Sequence, residues 1–123
     1  MALTIYHYPR CSTCQKAIAW LRERNVPFTE VDMVATPPSV EQLGSWARVA
    51  PRHLASMFNT SGQSYRNGNF KDLLPTMSRD QQLAALAADG KLIKRPILVR
   101  EDRTGLRVAV GFREEEFEAV LRP

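Results

Sequence analysis

The chain has 123 residues, 44% of them hydrophobic and 24% charged, with a formal net charge of +4 at pH 7. That length suits one domain with its own core, and no apolar run approaches the roughly 18–20 residues that cross a bilayer. Acids alternate with bases, as in Arg22-Glu23-Arg24 and Arg100-Glu101-Asp102-Arg103, so the positive balance reads as a solvated surface and direct nucleic-acid binding is not expected.

Only Met1-Ala2 precede the first apolar segment, with no basic n-region and no long h-region, which predicts a cytoplasmic protein. Leu3-Thr4-Ile5-Tyr6 reads as a short strand and His7-Tyr8-Pro9-Arg10 as a turn. A helix follows from about Ser12 to Asn25, with Cys14, Ala17, Ile18 and Leu21 as its buried stripe and Trp20 off that stripe, partly exposed. Asn25 and Pro27 end it. Phe28 to Met33 is a second strand, completing a βαβ unit with parallel strands.

The middle is helical. Thr36-Pro37-Pro38 is a break, and Ser39 with Gln42 three residues on forms a capping box. Val40, Leu43, Ala47 and Ala50 mark the inner face of the helix that follows, and Pro51 stops it. Arg52 to Phe58 is a short further helix, and Asn59 to Asn69 is a polar, glycine-containing loop. Ser78 and Gln81 repeat the capping box, Leu83, Leu86 and Ala87 follow at helical spacing, and Gly90 is expected as a C-terminal cap. Pro96-Ile97-Leu98-Val99 and Leu106 to Val110 form an antiparallel hairpin turning at Asp102 to Gly105. Gly111 breaks the strand, and Arg113 to Leu121 is a last helix with Phe117, Val120 and Leu121 inward.

This order predicts an α/β protein, a mixed sheet of thioredoxin type in one domain over residues 1–123, with a helical insertion at about 36–90. Its chemistry centres on Cys11-Ser12-Thr13-Cys14 at the strand-to-helix turn. Residues three apart on a helix share a face, about 5–6 Å between Cβ atoms, so Cys11 and Cys14 can close a disulfide with little backbone movement. Cys11 falls at the helix start, where unpaired N–H groups and the helix dipole favour a thiolate, and Arg10 adds a cation. Cys14 lies one turn inside. Cys11 is therefore expected as the attacking thiol and Cys14 as the resolving one; in the cytosol such a pair is reduced and reactive.

Arg95-Pro96 supports the same site. In folds of thioredoxin type the residue opposite the cysteines is a cis-proline, so that likeness implies a cis bond at Pro96, which proline tolerates far better than other residues, and the Arg95 guanidinium is placed to clamp an oxyanion or steady a thiolate. A zinc site from Cys11, Cys14, His7 and His53 is not expected, because there is one cysteine pair and His53 belongs to another element. His7 reads as a partly buried histidine held by a hydrogen bond, with tuning of Cys11 as the alternative. Asn59, Ser61 and Gly62 are either a plain connector or a loop reaching the Cys11 pocket.

Tyr6 to Ala17, Met57 to Gly62, Leu92 to Ile97 and Val110 to Glu116 together resemble the arsenate reductase-like (ArsC) family of the thioredoxin superfamily, in its Spx/MgsR-like branch. The resemblance implies a nucleophilic cysteine at Cys11 and an oxyanion-holding arginine at Arg95. A second family arginine falls at Asn59 and a third near Val110 or Gly111, which leaves Arg66, Arg107 or Arg113 as the neighbouring cations that can substitute. The resemblance implies two functions. One is a reductase acting on a disulfide or oxyanion, with glutathione, a glutaredoxin or a thioredoxin as electron donor and no metal or flavin. The other is an Spx-type transcriptional regulator binding RNA polymerase, with the cysteine pair as its redox switch and no turnover.

Overall fold

The computed structural model describes residues 2–123. The chain runs β1 (Ala2–His7), α1 (Ser12–Glu23), β2 (Thr29–Asp32), α2 (Val40–Val49), α3 (Gln63–Asn67), α4 (Phe70–Leu73), α5 (Arg79–Ala88), β3 (Ile97–Asp102), β4 (Gly105–Val110) and α6 (Glu114–Leu121), with 3-10 turns at Leu54–Met57, Leu74–Thr76 and Gly90–Leu92. The four strands form one sheet in the order β2-β1-β3-β4. β1 is parallel to β2 and antiparallel to β3, and β3 and β4 are the predicted hairpin. The fold is thioredoxin-like.

Side chains alternate across the sheet, and the core divides accordingly. Leu3, Ile5, Leu98 and Ala109 face α1 and α6, packing with Ala17, Ile18, Leu21 and Phe117. Ile97, Val99, Val108 and Val110 face the helical insertion, packing with Leu43, Trp46, Leu83 and Leu86. Both capping boxes form. Ser39 Oγ accepts the Gln42 N–H at 3.1 Å while Ser39 N–H donates to Gln42 Oε1 at 3.0 Å, and Ser78 and Gln81 repeat the pair at 3.1 and 2.9 Å. Asn25 adopts φ 56° just past α1, the left-handed conformation that ends a helix.

Four expectations are corrected. Trp20 is 6% exposed, because α6 and Phe112 close over its side of α1. Its ring meets Phe117 edge-on at 5.7 Å, Arg24 lies 3.4 Å above the ring, and its Nε1 donates to Glu114 at 2.9 Å. Val40 is exposed, since the first residue of α2 lies ahead of the turn that reaches the core. Residues 63–67 of the expected loop form α3, a short helix with no buried residue of its own, so no apolar period marks it. Gly90 is not among the positive-φ glycines. It is required by close approach, since a Cβ there would lie 2.1 Å from the Met33 carbonyl oxygen and 2.8 Å from the Val34 Cα.

Candidate functional site

The topology brings three chain segments to one end of the sheet. β1 ends there and leads to Cys11, β3 begins there after Arg95-Pro96, and β4 ends there at Gly111. The Arg95–Pro96 bond is cis, as expected. The Pro96 carbonyl accepts the Gly111 N–H at 2.8 Å, tying the start of β3 to the end of β4.

Cys11 is the N-cap of α1. Its N–H donates to the Tyr8 carbonyl at 3.0 Å, and its Sγ accepts the Cys14 N–H at 3.2 Å. The sulfur thus stands in for the oxygen of an ordinary capping residue and takes one of the unpaired donors of the first turn. Cys14 is fully buried and Cys11 partly exposed. Both are free thiols in this structure. Burial pushes the Cys14 thiol up to about 12, and its hydrogen bond with Cys11 adds to the rise. It therefore stays protonated at neutral pH.

An open pocket of about 310 Å³ lies over Cys11, lined by Thr13, Asn59, Ser61, Lys94, Arg95, Gly111, Phe112 and Arg113. Asn59 and Ser61 thus belong to a loop that reaches the pocket. The Asn59 N–H donates to the Leu92 carbonyl at 2.7 Å, which holds that loop beside the segment leading to Arg95. Arg95 lies with its Cζ 5.2 Å from the Tyr8 ring centre and donates to the Lys91 carbonyl at 3.3 Å, while its Nε is buried with no hydrogen-bond partner. Such an orphan donor is costly and rare.

Of the three neighbouring cations expected as substitutes, Arg113 reaches the pocket. Arg66 and Arg107 are not among its lining residues; Arg66 donates to Gln63 and Arg107 to the Arg122 carbonyl. Arg10 is exposed and Ser12 opens α1, and neither lines the pocket. Pro96 is buried. His7 contacts Glu30 at 3.6 Å across the β1–β2 pair and is not among the residues lining the pocket. Among the described residues, no three His, Cys, Asp or Glu side chains converge as a metal site would need, and no helix is long and apolar enough to cross a membrane.

Sequence reading missed Arg52. Its guanidinium pairs with Glu116 of α6 and donates to the Val110 carbonyl at 3.0 Å. This clamp fixes the end of β4 against α6, and hence the Gly111–Arg113 wall of the pocket. The contact spans 58 positions in the chain for Val110 and 64 for Glu116, so no local pattern announces it.

The model of the ArsC family matches residues 6–120. The chain belongs to the ArsC family. It is 45% identical over 118 residues to the uncharacterized protein YusI of Bacillus subtilis, covering 96% of this chain and 97% of that one. It is 31% identical to the global transcriptional regulator Spx of Enterococcus faecalis, over 97% of this chain and 86% of the regulator. Among solved structures it is similar to a protein of Streptococcus mutans UA159 described as a possible arsenate reductase, at 40% identity and a TM-score of 0.83, covering 94% and 97% of the two chains. The chain is thus similar both to a protein named as a regulator and to one described as a possible reductase.

Proposed function

We propose that the protein is a cytoplasmic thiol-dependent reductase in which Cys11 is the nucleophile, Cys14 the resolving thiol and Arg95 the charge-stabilising partner. One observation carries this reading: the Cys11 sulfur caps a helix N-terminus at the floor of an open pocket that also contains Arg95. With a disulfide substrate, the Cys11 sulfur bonds to one sulfur, the substrate S–S bond breaks, and the leaving thiolate departs with the electron pair. Cys14 then loses its proton and attacks the Cys11 sulfur, giving the Cys11–Cys14 disulfide and releasing the second thiolate. A thiol donor such as glutathione, a glutaredoxin or a thioredoxin returns two electrons. Thr13 and Asn59 line the same pocket. An oxyanion such as arsenate would be held by the same cations.

A second reading is favoured by the likeness to the Spx regulator. Here the Cys11–Cys14 pair is a redox switch for a protein partner such as RNA polymerase, without turnover. Steady-state assays with arsenate and with a small mixed disulfide, each supplied with the three donors in turn, separate the two. Turnover that stalls as a mixed disulfide on Cys11 in Cys14→Ser is the result expected of the reductase. Reversible oxidation without turnover would transfer the assignment to the switch.

A further inference from the structure

Lys94 was not singled out by the sequence, and its placement is unusual. Gly111 adopts φ +78°, and a Cβ built there would lie 2.8 Å from the Lys94 Cε and 3.9 Å from its Nζ. The lysine stem therefore lies across the bare α-carbon of Gly111, in volume that any other residue would fill. Its backbone is anchored as well, with the Lys94 N–H donating to the Met57 carbonyl at 2.7 Å. The result is an ammonium folded over the end of β4 into the Cys11 pocket. That pocket has three cations in its lining, Lys94, Arg95 and Arg113, and no carboxylate among the described residues.

We propose that Lys94, laid across Gly111, is a specificity-determining residue that makes Cys11 react preferentially with substrates carrying a negative charge next to the atom attacked. This inference rests on the assignment of Cys11 as the nucleophile. Arg95 is held by Tyr8 and the Lys91 carbonyl, and Arg113 lines the pocket with Gly111 and Phe112. Lys94 carries a compact ammonium on an exposed side chain, a point charge suited to a small anion. Glycine at position 111 leaves open the space that the Lys94 stem occupies.

The test compares two alkylating agents of nearly equal size at Cys11, the anionic iodoacetate and the neutral iodoacetamide. In both reactions the sulfur displaces iodide from the same kind of carbon. The ratio of the two rates is therefore independent of how much thiolate is present, and reports the local charge alone. Lys94→Gln should lower the iodoacetate-to-iodoacetamide ratio by about three- to tenfold at low salt, the effect of one unit charge acting at a few ångströms through mostly aqueous surroundings. Lys94→Arg should restore most of the ratio, and salt near 1 M should erase most of the difference. Lys71→Gln, which removes an exposed charge on α4 outside the pocket, controls for net charge. An unchanged ratio in Lys94→Gln, or an equal fall in Lys71→Gln, overturns the inference while leaving Cys11 as nucleophile. Failure of Cys11 to react with either reagent overturns both.

Discussion

Cys11→Ser is expected to reduce turnover to background, a loss on the order of 10³-fold or more, with the thermal midpoint nearly unchanged. Serine keeps an oxygen at the N-cap to accept the Cys14 N–H, so the first turn of α1 retains its cap. What disappears is the sulfur, and a serine hydroxyl with no adjacent general base does not replace a thiolate. The contrast with Cys14→Ser is diagnostic. That variant should still attack substrate through Cys11 but accumulate the mixed disulfide, because the sulfur one turn inside is gone. Closure of the internal disulfide in the wild type requires the Cys14 proton to leave. Burial, the largest cause of that thiol's raised pKa, persists when Cys11 carries the mixed disulfide, so the closure rate should rise about tenfold per pH unit from neutral into alkaline solution. A Cys11→Ser protein that turns over at the wild-type rate would remove the nucleophile from the account.

Phe117→Ala is expected to cost about 3–5 kcal/mol of stability, and to lower the thermal midpoint by on the order of 10–20 °C. Phe117 is fully buried between the sheet and α1. Its ring meets Trp20 at 5.7 Å and Phe112 at 5.0 Å, both edge-on. Few neighbours can relax into the space it vacates, because Trp20 is itself held by its hydrogen bond to Glu114 and by Arg24 above it. A domain of this size has total stability of about 5–15 kcal/mol, so the loss is a large share of it. The consequence reaches the site through Phe112, which packs on Phe117 and lines the Cys11 pocket. Thermal melts with a parallel alkylation assay at low temperature separate the two effects. A stability loss below about 1 kcal/mol would contradict the packing described for this layer.

What the sequence made legible was whatever is written in adjacent residues. The two capping boxes are local chemistry, with both partners three positions apart, and both formed where expected. The Cys11–Cys14 spacing and the Arg95-Pro96 pair are equally local. Their convergence followed from strand order alone, since the end of β1 and the start of β3 share one end of the sheet. What was hidden depends on contacts between distant segments. Trp20 looked half-exposed because helical periodicity describes burial against one surface, whereas α1 is covered on a second side by α6. Gly90 looked like a cap because the backbone of Met33 and Val34 that excludes a side chain there comes from more than fifty residues away. Lys94 lies over Gly111, seventeen positions on, and Arg113 follows a segment that Arg52 pairs with through Glu116 and Val110.

The most direct test of the account is mass-resolved alkylation of the reduced wild-type protein with iodoacetamide, following Cys11 and Cys14 separately from neutral to alkaline pH. The account predicts that Cys11 labels at neutral pH while Cys14 stays protected, its labelling climbing with pH and levelling off only near pH 12. The linkage has a definite sign. A Cys14 pKa raised above the ordinary 9.0 gives stability that is present below pH 9 and is lost as the pH climbs toward 12, so late labelling of Cys14 should coincide with loosening of the fold. Cys14 labelling as fast as Cys11 at neutral pH, or a Cys11 that does not react, would contradict the assignment of nucleophile and resolving thiol.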